Sequence, residues 1–305
     1  MTEDRPIAVY GALAANLAIA VTKFAASAVT GSSAMLSEGI HSLVDTANQV
    51  LLLVGVRRGR RPADASHPFG HASELYVWGL LVAVALFGIG GGLAFYEGVS
   101  HLQHPTPLTD PTWNYVVLAV AFALDGSSWL LALRELRRDH PGVPVWAAYR
   151  DSPDPAVYTV LAEDTADLVG IVLAAAGVAL GHATGNPMWD GLASIAIGVL
   201  LGGVSLGLVR TGRDLLTGRA ARPELVESVR QIAAADAAVE SVAVPLTMQL
   251  GPAEVLVTVE LVFRPSLNAD AVAEAGARIE AAIRATHPTV TRVFTEAALR
   301  PAGPL

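Results

Sequence analysis

His41 and Asp45 stand four residues apart inside a long apolar segment, Leu36 to Val56. On a helix this spacing puts both side chains on one face, one turn apart. Glu38 and Asn48 extend the same stripe in either direction. A second set of acids, Glu163, Asp164 and Asp167, lies near the start of another apolar segment, Val157 to Leu180. An imidazole and carboxylates one turn apart form a ligand set that a divalent cation such as Zn2+ accepts. An ionisable group at the centre of a bilayer costs about 3 kcal/mol on an insertion scale, so such groups mark a task. Three acids this close cannot all stay ionised in a low-dielectric site without a cation or protons. The competing reading of the first stripe is interhelical hydrogen bonding. For the acids it is a helix that starts late and leaves them in water, which the apolar run Val157–Leu161 argues against.

A third constellation sits in a loop. Asp64, His67 and His71, within Asp64-Ala65-Ser66-His67-Pro68-Phe69-Gly70-His71, have the spacing to ligate a metal from a compact turn. The competing reading is a solvated loop with two incidental histidines. Asp125, in the middle of a fourth apolar segment, is open to three roles: partner to a ligand, proton acceptor or direct ligand. Lys23, the only lysine of the chain, either snorkels or pairs with an acid such as Glu38. Glu97, near the end of the third segment, reads as interfacial.

These residues need elements to hold them. Of 305 residues, 52% are hydrophobic and 16% charged, with a mean hydropathy of +0.47, a balance that indicates several membrane spans. Six segments reach the ~20 residues that a helix needs to cross a bilayer: Ile7–Val29, Ala34–Val56, Leu75–Tyr96, Trp113–Leu133, Val157–Leu180 and Trp189–Val209. Glycines such as Gly88, Gly90, Gly91 and Gly92 allow close helix approach. Arginines follow the second span (Arg57, Arg58, Arg60, Arg61), the fourth (Arg134, Arg137, Arg138, Arg150) and the sixth (Arg210, Arg213). The loops Thr30–Ser33, Ser100–Thr112 and Gly181–Met188 hold no Lys or Arg. The positive-inside rule then places both termini in the cytoplasm of a multi-pass protein of the cell (inner) membrane. No cleavable signal peptide is expected. The absence of cysteine excludes disulfides and thiolate metal sites.

After Arg213 the pattern changes. Pro223–Ala235 and Asn268–Thr286 have helical periodicity, while Val239–Leu250, Glu254–Phe263 and Val290–Glu296 read as strands, with a turn at Gly251-Pro252. The expected fold is a six-helix, all-α transmembrane domain over residues 1–213. A cytoplasmic α+β domain of order αββαβ, ferredoxin-like or metallochaperone-like, follows over residues 214–305. With eight Arg against eleven Asp and Glu from Asp214 onward, the tail is acidic and argues against nucleic-acid binding.

The stretch from Gly31 to Thr46, containing His41-Ser42-Leu43-Val44-Asp45, together with His67-Pro68-Phe69-Gly70 and Glu163-Asp164-Thr165-Ala166, resembles the cation diffusion facilitator family. Within it the chain looks like the branch that includes mitochondrial zinc exporters of animals and bacterial relatives. The resemblance covers nearly the whole chain. It implies a homodimer, joined through the C-terminal domain, that exchanges Zn2+ or a similar cation for protons across the lipid bilayer. It implies that His41 and Asp45 are one half of the transport site and that Asp164 belongs to the other half. The family histidine one turn earlier corresponds to Val160, which cannot ligate; Asp167, Glu163, Asn48, Asp125 or water is left to complete the site. The resemblance also implies a loop metal site at Asp64, His67 and His71. The tail, with His287 as its only histidine, departs from relatives whose tails bind metals and is expected to dimerise without them.

The expected function is efflux of a divalent cation by Zn2+/H+ antiport with alternating access, and the chain is not expected to be an enzyme. Oxygen-rich donors also accept Mn2+, Fe2+ and Co2+, so an Mn2+ or Fe2+ exporter of the same fold is the alternative. A non-transporting membrane metal sensor or scaffold is a further one. An intramembrane metalloenzyme is a rival reading, but the chain lacks the His-Glu-x-x-His pattern of zinc proteases.

Overall fold

A computed structural model describes residues 5–105, 111–139, 141–151 and 155–298. The expected loop Ser100–Thr112 therefore lies partly outside the described residues. The chain divides into two compact units, residues 1–57 with 75–213, and residues 58–74 with 214–305.

The first unit is all-helical. Its long elements are α1 (Arg5–Thr30), α2 (Ser33–Gly59), α3 (Glu74–Ala85) continuing through a π-helical turn (Leu86–Gly91) into α4 (Gly92–Gln103), α5 (Thr112–Asp139), α7 (Pro155–Thr184) and α8 (Met188–Leu216). A short α6 (Val145–Asp151), not expected from the sequence, precedes α7. Among the described residues, five helical stretches have the length and apolarity to cross a membrane, and Asn16–Thr30 of α1 adds a shorter apolar one. The distribution of side chains is inverted relative to a water-soluble protein. Val21, Val120, Leu131 and Val199 are exposed, whereas Lys23, Glu38, His41, Asn48 and Asp190 are wholly buried. Such an exterior suits hydrocarbon and such an interior does not suit oil; together they describe a multi-pass membrane protein.

The third span is not one regular helix. The run Gly88-Ile89-Gly90-Gly91 lies in the π-helical turn, where weak helix formers let the hydrogen-bond ladder skip a residue. Of the expected packing glycines, Gly91 meets α8 most closely: a Cβ on it would lie 3.1 Å from the Gly198 carbonyl oxygen, and one on Gly198 would lie 2.7 Å from the Phe95 amide nitrogen, whereas a Cβ on Gly88 would meet open space. Backbone therefore touches backbone between this span and α8.

The second unit carries α9 (Pro223–Ala234), β1 (Val239–Val242), β2 (Leu246–Gly251), β3 (Glu254–Phe263), α10 (Ala269–Thr286) and β4 (Val290–Ala297). The strand expected over Val239–Leu250 is two strands, because Pro245 cannot donate to a ladder and interrupts it. Both pieces pair antiparallel with β3 along one of its edges, Val242 opposite Leu261 and Leu246 opposite Thr258. β4 runs parallel along the other edge, with Val257 opposite Val293. The alternation of β3 sends Val255, Val257, Val259 and Leu261 into a core with Val229 of α9 and Ile279 and Ile283 of α10. Pro223 opens α9, and Asn268 caps α10 by accepting a hydrogen bond from the Ala271 amide at 2.8 Å.

Candidate metal centre

α2 and α7 run antiparallel, and their polar residues face each other in rungs. His41 Nε2 lies 3.1 Å from Asp167 Oδ1 on α7, and His41 Nδ1 lies 3.5 Å from Asp45 Oδ2 on its own helix. One ligand atom from each of His41, Asp45 and Asp167 falls within 4.8 Å of the others, and all three residues are buried. Neither nitrogen of His41, neither oxygen of Asp45 nor Oδ1 of Asp167 has a hydrogen-bond partner among the described residues. Buried polar atoms are normally paired. Here they converge at ion-pair distance without the angles of a hydrogen bond, as ligand atoms aimed at a common point do. A dication set among two carboxylates and a neutral imidazole leaves no net charge.

The other acids of α7 occupy neighbouring positions. Glu163 Oε1 accepts a 2.7 Å hydrogen bond from Asn48 Nδ2, a rung beyond the His41–Asp167 pair toward the C-terminal end of α2. Asp164, assigned to the centre on the resemblance, is turned toward α5, where Oδ2 accepts a 3.2 Å hydrogen bond from Ser128. Asp167 takes its place in the cluster. The reason is helical rotation: residues 163, 167 and 170 recur at four and three positions and face α2, while 164 lies about 100° round from 163. Asp125 is half-buried and contributes no atom to the cluster. Lys23 does not snorkel; it is wholly buried, with Nζ 3.0 Å from Glu38 Oε2 and donating to Ser42 Oγ at 2.8 Å.

One functional group of the membrane unit escaped the sequence reading. Asp190 of α8 accepts hydrogen bonds from Ser32 Oγ (2.7 Å) and from the amides of Ser33 and Ala34 (3.2 Å for the latter), so it caps the start of α2 from another helix. The available signal was an acid at the very start of a span and a Gly-Ser-Ser run before another.

In the second unit, Asp64, His67 and His71 come together as a second possible ligand group. Asp64 Oδ1 accepts from Ser66 N (2.8 Å), Ser66 Oγ (2.6 Å) and His67 N (2.8 Å), a turn that fixes the loop. Those hydrogen bonds, first from the Ser66 hydroxyl and then from the His67 amide, hold the Asp64 carboxyl down at about 2. His71 Nδ1 faces the Pro62 carbonyl oxygen at 3.2 Å, which leaves Nε2 turned to Asp64 Oδ2 at 3.5 Å. Orientation of one ring nitrogen by a carbonyl is the usual support of a ligating imidazole. The loop is tied to β2 through Ser73 Oγ, which donates to the Leu250 carbonyl at 2.9 Å.

Residues 9–217, well over half of the chain, match the profile of the cation efflux transmembrane domain. The chain belongs to the cation efflux family. Among its relatives in that family is a mitochondrial proton-coupled zinc antiporter of Homo sapiens, 39% identical over 222 residues, which are 72% of this chain and 39% of the relative. A metal tolerance protein, C4, of Arabidopsis thaliana is 33% identical over 236 residues, 77% of this chain and 52% of that one. The cation-efflux pump FieF of Escherichia coli is 36% identical over 122 residues, 37% of this chain and 40% of the pump. This cation efflux chain spans about two fifths of the length of the animal antiporters it matches.

Proposed function

We propose that this chain exports a divalent cation, Zn2+ in the first place, in exchange for protons, by alternating access around His41, Asp45 and Asp167. The observation that carries the reading is the buried convergence of their ligand atoms without mutual hydrogen bonds. Imidazole and carboxylate bind metal only when deprotonated, so protons and metal compete for the same atoms, which is the requirement of an antiporter. The names of the zinc antiporter and efflux-pump relatives support the same activity. Both termini face the cytoplasm of the cell (inner) membrane, since the arginines gather in the loops after the second, fourth and sixth spans. In that orientation the N-terminal end of α2 is the outer end. The α+β domain joins two copies, and Asp64, His67 and His71 hold a second cation in its associated loop. The chain moves its cargo without covalent chemistry and is not an enzyme.

Two carboxylates and one imidazole are harder donors than a histidine-rich site, which supports Mn2+ or Fe2+ as the second reading. Uptake into proteoliposomes of Zn2+, Mn2+, Fe2+ and Co2+, with and without a pH gradient, decides. Zn2+ uptake that accelerates with the gradient is expected; metal binding with no uptake of any of the four would make the protein a sensor or scaffold.

A further inference from the structure

We propose that Glu38 is a transient ligand for the cation on its outward step, and that Lys23 is the tethered cation that holds this carboxylate while the metal sits at His41. The proposal rests on the transport reading of the His41 centre. Two contacts between α2 and α7 are separated by the same three residues on each helix. Outward from His41 opposite Asp167 comes Glu38 opposite Gly170, three residues, or about 4.5 Å, along the axis. Glu38 Oε1 lies so close to the Gly170 backbone that a Cβ there would collide with it. The missing side chain leaves the gap that the carboxylate enters.

Only one oxygen of Glu38 is engaged. Oε2 is 3.0 Å from Lys23 Nζ, while Oε1 is buried without a hydrogen-bond partner among the described residues. A buried ion pair adds little stability over apolar residues of the same volume. A merely structural joint between α1 and α2 would also not leave an acceptor unused. Lysine suits the exchange. Its ammonium is a point charge on a flexible stem with three donors, so it can release Glu38 and keep its 2.8 Å bond to Ser42. A cation that moves from the His41 centre to Glu38 then meets the displaced ammonium, and their repulsion favours departure over return. With Lys23 seated on Glu38, the carboxylate adds no net charge to the loaded centre and does not trap the metal.

The test uses the full chain in proteoliposomes, with Zn2+ as the probe and Asp45→Ala alongside. Glu38→Gln should lower the maximal Zn2+ flux about tenfold with little change in half-saturating concentration, the pattern of a lost step rather than lost binding. Lys23→Met should tighten Zn2+ binding and slow its release, because Glu38 then joins the bound site. The neutral double variant Lys23→Met/Glu38→Gln should match Glu38→Gln in flux. Wild-type flux in Glu38→Gln or in the double variant overturns the proposal. So does a double variant that no longer folds, since the pair would then belong to assembly. Flux that persists in Asp45→Ala removes the transport site itself; flux lost there but intact in Glu38→Gln removes only the outward ligand.

Discussion

An imidazole offers two nitrogens, and in His41 both are buried without a hydrogen bond among the described residues, while carboxylates stand 3.5 and 3.1 Å away. Losing one such ligand costs more than losing a group that merely orients it, for which 10–100-fold in affinity, roughly, is usual. Asp167→Ala and His41→Ala should each weaken Zn2+ binding by about 100-fold or more in calorimetry. Asp164→Ala, which removes the acceptor of the Ser128 hydrogen bond, should have a much smaller effect; the reverse order would contradict the assignment. His41 and Asp45 were legible in the sequence because their spacing lies within one helix. The choice between Asp164 and Asp167 was not, because it depends on how α7 is rotated against α2, which residue spacing within α7 does not record. The turn at Asp64 responds to acid. A depressed carboxyl adds stability that is fully present above its ordinary value of 3.8 and is lost as pH falls through about 2. The Ser66 and His67 amides should therefore stay protected from exchange between about pH 7 and pH 4, and the turn should open only below that. Loss of protection already near pH 5 would contradict it.

At the scale of elements, the start of α2 is held by a carboxylate from α8. Asp190→Ala would leave the Ser32 hydroxyl and the Ser33 and Ala34 amides without their acceptor and should destabilise the folded chain by about 2 kcal/mol. Unfolding in mixed detergent measures this, and an unchanged midpoint would refute the capping role. The seam between the third span and α8 makes a similar demand. Gly98→Val would drive a side chain into the Gly191 carbonyl and Ile195, which lie 2.7 Å from where a Cβ would stand, and should lower the same midpoint. A set of apolar spans followed by a small sheet domain was readable from hydropathy and periodicity, since length and alternation are local properties. The break at Pro245 was locally visible but outweighed by the apolar run around it. The cap from Asp190 left only a weak local signal, because its partners stand at the start of another helix.

Across the whole molecule, polar groups sit inside an apolar exterior in one unit, and a conventional apolar core fills the other. The segment 58–74 groups with the tail rather than with the helices on either side of it, so the proposed ligands Asp64, His67 and His71 belong to the unit proposed to dimerise. His67→Ala/His71→Ala should accordingly remove one bound Zn2+ per chain in elemental analysis and leave the His41 site loaded; unchanged metal content would empty the loop of its proposed role. The measurement that bears most directly on the central claim follows Zn2+ entry and proton exit in the same proteoliposomes, for the wild type and for Asp45→Asn and Asp167→Asn. Coupled fluxes are expected in the wild type, and loss of both together in each variant. Coupled fluxes that survive in the two variants would contradict the claim.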